Sequence, residues 1–405
     1  MKRLMTKILN LPGVIVEKSL ETEETIILSV RVKNKTAVCP RCGQTSRRLH
    51  QNKTHLVRDL PITNREVILK VNRRQFKCEG CKKPFSESLD FVELRKNFTQ
   101  RYAQSITEQV INSDINNVAR NNKLTAEQVE SMVMTAAKSV MKVELTQLCR
   151  LGIDEISLVK GQGKFIVVLV DLSTHKLLGL APGRKQSEIE KVMLRWGDKV
   201  LSQVEEVSMD LSYNYKSLVN KLCPNASVTV DRFHVTKMIH EELNQARIDQ
   251  KKVAESLNVK EKVKFFSSLK GSKYILLKAE QKLSPKQKAK LLQAKTASPL
   301  VEIMHSLKEE FHNVFENSCG LGEGTLGLID WLKKAEPYYK KSVSSIKRWF
   351  SEVVGYFEQK TTNAIVEGIN NKLKLLKRSG FGFRNFKNFE TRALLFWHFP
   401  RNLAY

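Results

Sequence analysis

Leu151-Gly152-Ile153-Asp154-Glu155-Ile156, Phe165-Ile166-Val167-Val168-Leu169-Val170-Asp171-Leu172 and Lys176-Leu177-Leu178-Gly179-Leu180 are three short apolar runs in succession. Each is too short for a buried helix, and the second is rich in β-branched residues, so they read as consecutive strands. Turns are expected at 160–163 and 173–175. Downstream the period changes. A helix is predicted over 187–201, opened by Ser187 with Glu190 three positions on, a capping-box pattern. A strand follows at 206–210, a helix at 215–222, a strand at 227–231 and a further helix from Val235. Three strands and then alternating helices and strands predict a mixed sheet covered by helices.

The flanking sequence sets the domain organisation. Residues 1–95 carry strand alternation, seen in Thr25-Ile26-Ile27-Leu28-Ser29-Val30-Arg31-Val32 and Arg65-Glu66-Val67-Ile68-Leu69-Lys70-Val71. Residues 96–148 change to helical spacing. The α/β region starts at 149 and is interrupted at 245–345 by a Lys-rich, Leu-spaced stretch that reads as an all-helical insertion. It resumes at 346–405 with a helix over 363–378, a Gly-rich turn at 380–382 and a last helix containing Phe389, Phe396 and Trp397. The reading is a multidomain α+β protein with domains at 1–95, 96–148, 149–244, 245–345 and 346–405.

Composition narrows the partner. Lys and Arg outnumber Asp and Glu by 69 to 42 over 405 residues, a formal net charge of +27, while 41% hydrophobic residues suffice for real cores. The basic residues run through the whole chain, which suits a polyanion such as nucleic acid. No apolar run of about 18 residues is present to span a bilayer. The stretch after Met1-Lys2-Arg3 is broken by Asn10, Pro12 and Glu17, so no signal peptide is read and a cytoplasmic location is expected. In that compartment paired cysteines hold metal more often than they form disulfides.

Cys39-Pro40-Arg41-Cys42 and Cys78-Glu79-Gly80-Cys81 are two such pairs. Four thiolates at this spacing make a closed, structural Zn²⁺ site of zinc-ribbon layout, and His50 and His55 are then not needed as ligands. Cys149, Cys223 and Cys319 are isolated and are expected to pack as small apolar residues. In the helical segment, Ile115–Arg120, a polar turn at 121–123 and a Thr125-capped second helix match a helix-turn-helix. Leu124, Val129 and Val133 would face inward, and Arg120, Lys123, Gln128 and Ser131 would face DNA.

The acids carry the chemistry. Two-metal phosphoryl transfer needs carboxylates from separate segments that converge on ions roughly 3.5–4 Å apart, and oxygen ligands suit Mg²⁺ or Mn²⁺. Asp154 follows the apolar start of the first strand, Asp210 ends the fourth, and Glu367 lies on the helix beginning near Asn363. On that helix Asn363, Glu367, Asn370, Asn371 and Lys374 share one polar face, opposite Ile365, Ile369 and Leu376. The face turns basic at Lys374, Lys377 and Arg378, which would sit against a phosphate backbone. Three other acids compete. Asp171 reads as a hairpin-turn residue, Glu155 should point to the other side of its strand, and Asp231 stays open on spacing alone.

Taken together, the two cysteine pairs, Gly152-Ile153-Asp154-Glu155, Met209-Asp210-Leu211-Ser212, Val230-Asp231-Arg232-Phe233-His234 and Glu367-Gly368-Ile369-Asn370-Asn371 running into Lys377-Arg378 resemble the ISL3 family of bacterial insertion-sequence transposases. The resemblance implies an RNase H-like catalytic domain of the DDE type with a helical insertion between its second and third acids. It places the Mg²⁺ (or Mn²⁺) ligands on Asp154, Asp210 and Glu367, with Asp231 and His234 as an accessory pair. It further implies hydrolysis at the terminal inverted repeats, then transfer of the freed 3′-hydroxyl to target DNA without a covalent enzyme–DNA intermediate. Ser212, Tyr213 and Tyr215 are then not nucleophiles. The expected partners are double-stranded DNA, as transposon ends and target, and further copies of the chain in a dimer or larger assembly at the nucleoid. Trp331 and Trp349 are expected in the core rather than stacked on a base. The alternatives are a structure-specific RNase H-like nuclease and a catalytically silent zinc/helix-turn-helix regulator.

Overall fold

The computed structural model describes residues 2–140, 145, 147–157, 165–253, 259–360, 364–380, 383 and 385–399. The chain divides into two compact units, one formed by 1–143 with 376–405 and the other by 144–375.

In the first unit, α1 (Lys2–Leu9) precedes β1 (Val14–Glu21) and β2 (Thr25–Val32). The short β3 (Ala37–Val38) and β4 (Thr45–Ser46) form a two-stranded ribbon of their own. The long hairpin β5 (Leu49–Ile62) and β6 (Arg65–Lys77) follows, then β7 (Pro84–Ser86). The sheet runs β1-β2-β6-β5 with β7 paired to β6, and β2 and β6 are parallel. Val14, Val16, Leu28, Val57, Val67, Leu69 and Val71 alternate into one core, the period of 2 that the sequence showed.

The helices α2 (Gln100–Asn112), α3 (Ile115–Asn121) and α4 (Ala126–Val140) come next. Thr99 and Asp114 cap α2 and α3 by accepting the N–H groups of Tyr102 and Asn117. Val129 and Val133 face inward as expected, and Leu124 packs partly against the same core. That core also takes Leu395 and Phe399 from the end of the chain, where α18 (Phe386–His398) lies against α2 and α4. The pattern had joined 346–405 to the α/β region; the residues past Leu375 cluster with the first unit, where Leu395 and Phe399 enter the core of α2 and α4.

The second unit is built on β8 (Arg150–Ser157), β9 (Phe165–Asp171), β10 (Lys176–Ala181), β11 (Glu206–Met209) and β12 (Ser227–Val230), in the order β10-β9-β8-β11-β12. The first three strands are antiparallel, and β11 is parallel to both β8 and β12. The expected single helix at 187–201 is broken into α5 (Gln186–Met193), a short 3-10 turn and α6 (Asp198–Ser202). Gly197, at φ 85°, takes the left-handed backbone that makes the break. Lys185, not Ser187, caps α5, without a side-chain bond, so the expected capping box is absent there. α7 (Tyr213–Leu222) links β11 to β12, and α8 (Arg232–Val253) starts three residues earlier than predicted.

α8 runs unbroken across the expected boundary at 244/245 into the helical stretch. The further helices are α9 (Val259–Leu269), α10 (Lys273–Leu277), α11 (Pro285–Ala297), α12 (Pro299–Asn317) and α13 (Leu321–Ala335). They lead to α14 (Lys340–Arg348), α15 (Phe350–Val354), α16 (Tyr356–Gln359) and α17 (Ala364–Ser379). Phe311, Phe315, Trp331 and Phe357 share one core with the sheet residues Val167, Leu169, Val207 and Met209, so the insertion is seated on the sheet rather than set apart from it. Trp331 and Trp349 are both buried, and the indole N–H of Trp331 donates to the Leu307 carbonyl, which fits the expected core role. The expected turn at 160–163, Asn363, Phe381 and Gly382 lie outside the described residues.

Candidate active site

Register brings the carboxylates together. Ser208 of β11 pairs with Gly152 of β8, so one further step along each parallel strand sets Met209 beside Ile153, and the next sets Asp210 beside Asp154. Met209 pairs likewise with Val230 of β12, which sets Asp231 beside Asp210. Three adjacent parallel strands thus deliver three acids at one level, at the carboxyl ends of β11 and β12, where open α/β sheets bind their ligands. α17 closes on β8 because residue 152 has no side chain. A Cβ there would lie 2.8 Å from Leu172 Cδ2 and 2.9 Å from Val366 Cγ2.

Oxygen and nitrogen atoms of Asp154, Asp210 and His234 all lie within 4.8 Å of one another. Asp154 Oδ1 accepts the backbone N–H of Glu155 at 2.6 Å, and its Oδ2 accepts the side-chain amide of Asn370 at 2.6 Å. Burial first, and then the neighbouring charge of Asp210, push the Asp154 carboxyl up to about 6. His234 Nδ1 is 3.0 Å from Asp231 Oδ2 and 2.9 Å from Asp210 Oδ1. Burial opposes charge on this ring, but its contacts with Asp210 and Asp231 outweigh burial and hold the imidazolium up to about 10.

The ring N–H is aligned with Asp231, whose other oxygen accepts the Phe233 N–H, so Asp231 is engaged at the start of α8. Asp210 Oδ1 is left buried without an aligned donor. Two crowded carboxyls, one of them already forced toward protonation, fit a site built for a hard cation. Asp154 and Asp210 supply the oxygen ligands that Mg²⁺ or Mn²⁺ takes.

The structure also separates the competing acids. Asp171 accepts the Ser173 and Thr174 N–H groups and the Thr174 hydroxyl, the turn role read from sequence. Glu155 is held by the Tyr215 hydroxyl and by Arg184, whose guanidinium lies 3.4 Å from the centre of the Phe165 ring. Glu367 is not brought into the cluster. Its side chain is exposed on α17, one turn before Asn370. The sequence had placed Asn370 on the polar face with Glu367. Instead Asn370 is 4% exposed and lies with Val366, Ile369 and Leu373 on the buried side. Its amide can be buried there because Asp154 accepts from it.

The cysteine site is closed. The four sulfurs of Cys39, Cys42, Cys78 and Cys81 lie within 4.8 Å of one another, and Cys42 Sγ is 3.5 Å from Cys78 Sγ. A tetrahedron with Zn–S bonds of ~2.3 Å has an edge of about 3.8 Å, close to that separation. Both knuckles are tight turns. Gly43 (φ 73°) donates to Cys39 O, and Cys81 N donates to Cys78 Sγ at 3.4 Å. A backbone N–H at Arg41 lowers the Cys39 thiol to about 7, while contact with Cys42 raises Cys81 to about 12. His55 bonds the Lys96 carbonyl instead. Cys223 is buried as expected, but Cys319 is exposed.

The residues expected to face DNA behave unequally. Arg120 is exposed at the end of α3. Lys123 is exposed and pairs with Glu24 at 2.9 Å. Gln128 closes a reciprocal cap with Thr125, and Ser131 accepts from Lys96 at 2.8 Å. Lys374 and Arg378 are exposed on α17, and Lys377 is half-buried.

Comparison with known proteins agrees with this geometry. A sequence model described as Transposase, of the ISL3 DDE type, matches residues 151–393, and one for the zinc-finger of transposase IS204/IS1001/IS1096/IS1165 matches 35–81. The chain is 24% identical over 372 residues to the transposase for insertion sequence element IS1001 of Bordetella parapertussis, covering 89% of each. It is 28% identical over 261 residues to the transposase for insertion sequence element IS1557 of Mycobacterium tuberculosis, covering 59% of this chain and 57% of that one.

Proposed function

Because the chain belongs to the ISL3 family of insertion-sequence transposases, we propose that it binds the terminal inverted repeats of its element, cleaves them in a Mg²⁺-dependent reaction and transfers the freed 3′-hydroxyl to target DNA. The observation that carries this reading is the convergence of Asp154 and Asp210 at adjacent strand ends, with His234 beside both. The sheet order β10-β9-β8-β11-β12, three antiparallel strands followed by two parallel ones, supports an RNase H-like frame for them.

In this reading Asp154 and Asp210 hold divalent ions together with Glu367, which α17 carries one turn from Asn370. Ions held there would supply activation of the attacking water or 3′-hydroxyl and stabilisation of the leaving oxygen. Asp231 orients His234 through Nδ1 and keeps it charged. The other ring nitrogen of His234 has no partner among the described residues and can donate to a phosphate oxygen. Lys374, Lys377 and Arg378 continue the same helix along a DNA backbone.

End recognition falls to the zinc ribbon and to α3 and α4, read as a helix-turn-helix, with Arg120 and Lys123 on phosphates. A phosphate would replace the exposed Glu24 partner of Lys123 at little cost, since solvent screens such surface pairs. Among the described residues no helix is long and apolar enough to cross a membrane. The place of action is then the nucleoid in the cytoplasm, with two or more copies bringing the ends together.

The test is strand cleavage of end-sequence DNA in Mg²⁺, with Asp210→Asn as the comparison. We expect the variant to lose on the order of 10²–10³-fold or more in rate, as when a group stabilising transition-state charge is removed. Equal cleavage by both proteins would refute the assignment. Cleavage without joining would favour a nuclease, and binding without cleavage a regulator.

A further inference from the structure

Asn370 has no part in the chemistry described so far. It is 4% exposed, and its Nδ2 donates to Asp154 Oδ2 at 2.6 Å. A carboxylate oxygen at that distance can only accept, so the NH₂ end of the amide must face Asp154 and the carbonyl end is thereby fixed. That carbonyl oxygen, Oδ1, is buried and has no hydrogen-bond donor. Amide bond lengths place it within about 5 Å of Asp154 Oδ2.

A buried acceptor without a donor is costly and rare in native proteins, and usually marks a partner that the chain itself does not supply. Asn370 Oδ1 is such an oxygen, beside the cluster of Asp154, Asp210 and His234. Asn370 and Asp154 are 216 residues apart in sequence, so the arrangement is a product of the fold and not of a local turn.

We propose that Asn370 is a positioning residue of the divalent-ion site with two functions: its NH₂ group orients Asp154, and its Oδ1 accepts a hydrogen bond from a water in the ion's hydration shell. This rests on the reading that Asp154 and Asp210 bind a divalent ion. Asp154 keeps lone pairs on both oxygens after accepting from Glu155 and Asn370, so alignment by Asn370 does not use up its capacity as a ligand. Mg²⁺ retains several waters when bound by one or two carboxylates, and those waters need acceptors in a buried site. Partners that fix first ligands in this way typically change metal affinity by 10–100-fold when removed. The proposal also accounts for a buried asparagine on the apolar side of α17, where an aliphatic residue would pack as well.

The experiment is Mn²⁺ titration of the full-length protein without DNA, read by electron paramagnetic resonance of free Mn²⁺, on four proteins. Wild type and Asp154→Asn test the underlying reading, and equal Mn²⁺ affinity in those two would remove it. If they differ, Asn370→Leu and Asn370→Asp test the inference. Asn370→Leu, close in volume and without polar atoms, should bind Mn²⁺ roughly 10–100-fold more weakly. Asn370→Asp keeps an acceptor oxygen and loses the donor. It should bind Mn²⁺ more tightly than Asn370→Leu, because a water in the shell still finds its acceptor. Wild-type affinity in Asn370→Leu would overturn the proposal. Equal weakness in the Leu and Asp variants would overturn the role of Oδ1. Circular dichroism spectra matching wild type establish that each variant is folded before its titration is compared.

Discussion

The two candidate metal clusters of this molecule are built on opposite plans. The four sulfurs come as two pairs with two residues between partners, each pair on its own tight turn, and a single cation satisfies all four. The acids come singly, from β8, the end of β11 and the start of α8, and the Asn370 carbonyl oxygen beside them is left without a donor. A local turn can prefigure a closed structural site, whereas an open site needs the whole sheet to be assembled first. One cluster stabilises its surroundings when filled. The other, when empty, destabilises them through crowded carboxylates.

The largest effect that would sharpen this contrast is loss of zinc. Structural zinc supplies apparent binding energies of about 10–16 kcal/mol in small zinc modules. Cys78→Ser, or chelation, should therefore abolish the bound zinc and unfold the ribbon, measured by metal analysis and by proteolysis between 35 and 86. Mn²⁺ affinity should stay unchanged, because the acids belong to a separate core. A parallel fall in Mn²⁺ affinity would break the distinction between the two clusters.

A smaller effect of opposite sign is expected at Asp154. Its folded pKa of about 6 lies above the ordinary value of 3.8, so the folded state holds this proton more tightly than the unfolded chain does. The cost is absent below about pH 4, grows as pH rises, and is complete above about pH 6. Asp154→Asn removes it. In metal-free protein at pH 8 the variant should be about 1–3 kcal/mol more stable, allowing for partial exposure, with a higher melting temperature. The gain should vanish near pH 4 and reverse when Mn²⁺ is added. A destabilised variant at pH 8 without metal would show that Asp154 is a structural acid.

How much of this was legible in sequence follows the same division. The three apolar runs at 151–180 gave the strands and their turn, and Asp171 acts as the turn residue it resembled. The cysteine knuckles were legible because their chemistry is local. The single helix at 187–201 was not, since only a glycine at φ 85° breaks it and hydrophobic spacing continues past that point.

Asn370 was placed on the wrong side of its helix for a different reason. Polarity alone cannot say that an amide is buried when its partner lies on a strand far away in the chain. The same limit hid the place of α18, whose Leu395 and Phe396 pack with α2 and α4 although the helix follows α17 closely in sequence. Glu367 is assigned through the motif it shares with the family, while the structure puts only its helix beside Asp154.

Metal exchange tests the three-acid site most directly, at the ligand that geometry alone does not bring in. End-sequence cleavage would be measured for Asp210→Cys and Glu367→Cys in Mg²⁺ and in Mn²⁺. A thiolate is a poor ligand for the hard Mg²⁺ and a better one for Mn²⁺. Both variants should lose cleavage in Mg²⁺ and regain part of it in Mn²⁺. Cleavage by Glu367→Cys in Mg²⁺ at the wild-type rate would contradict the three-acid site.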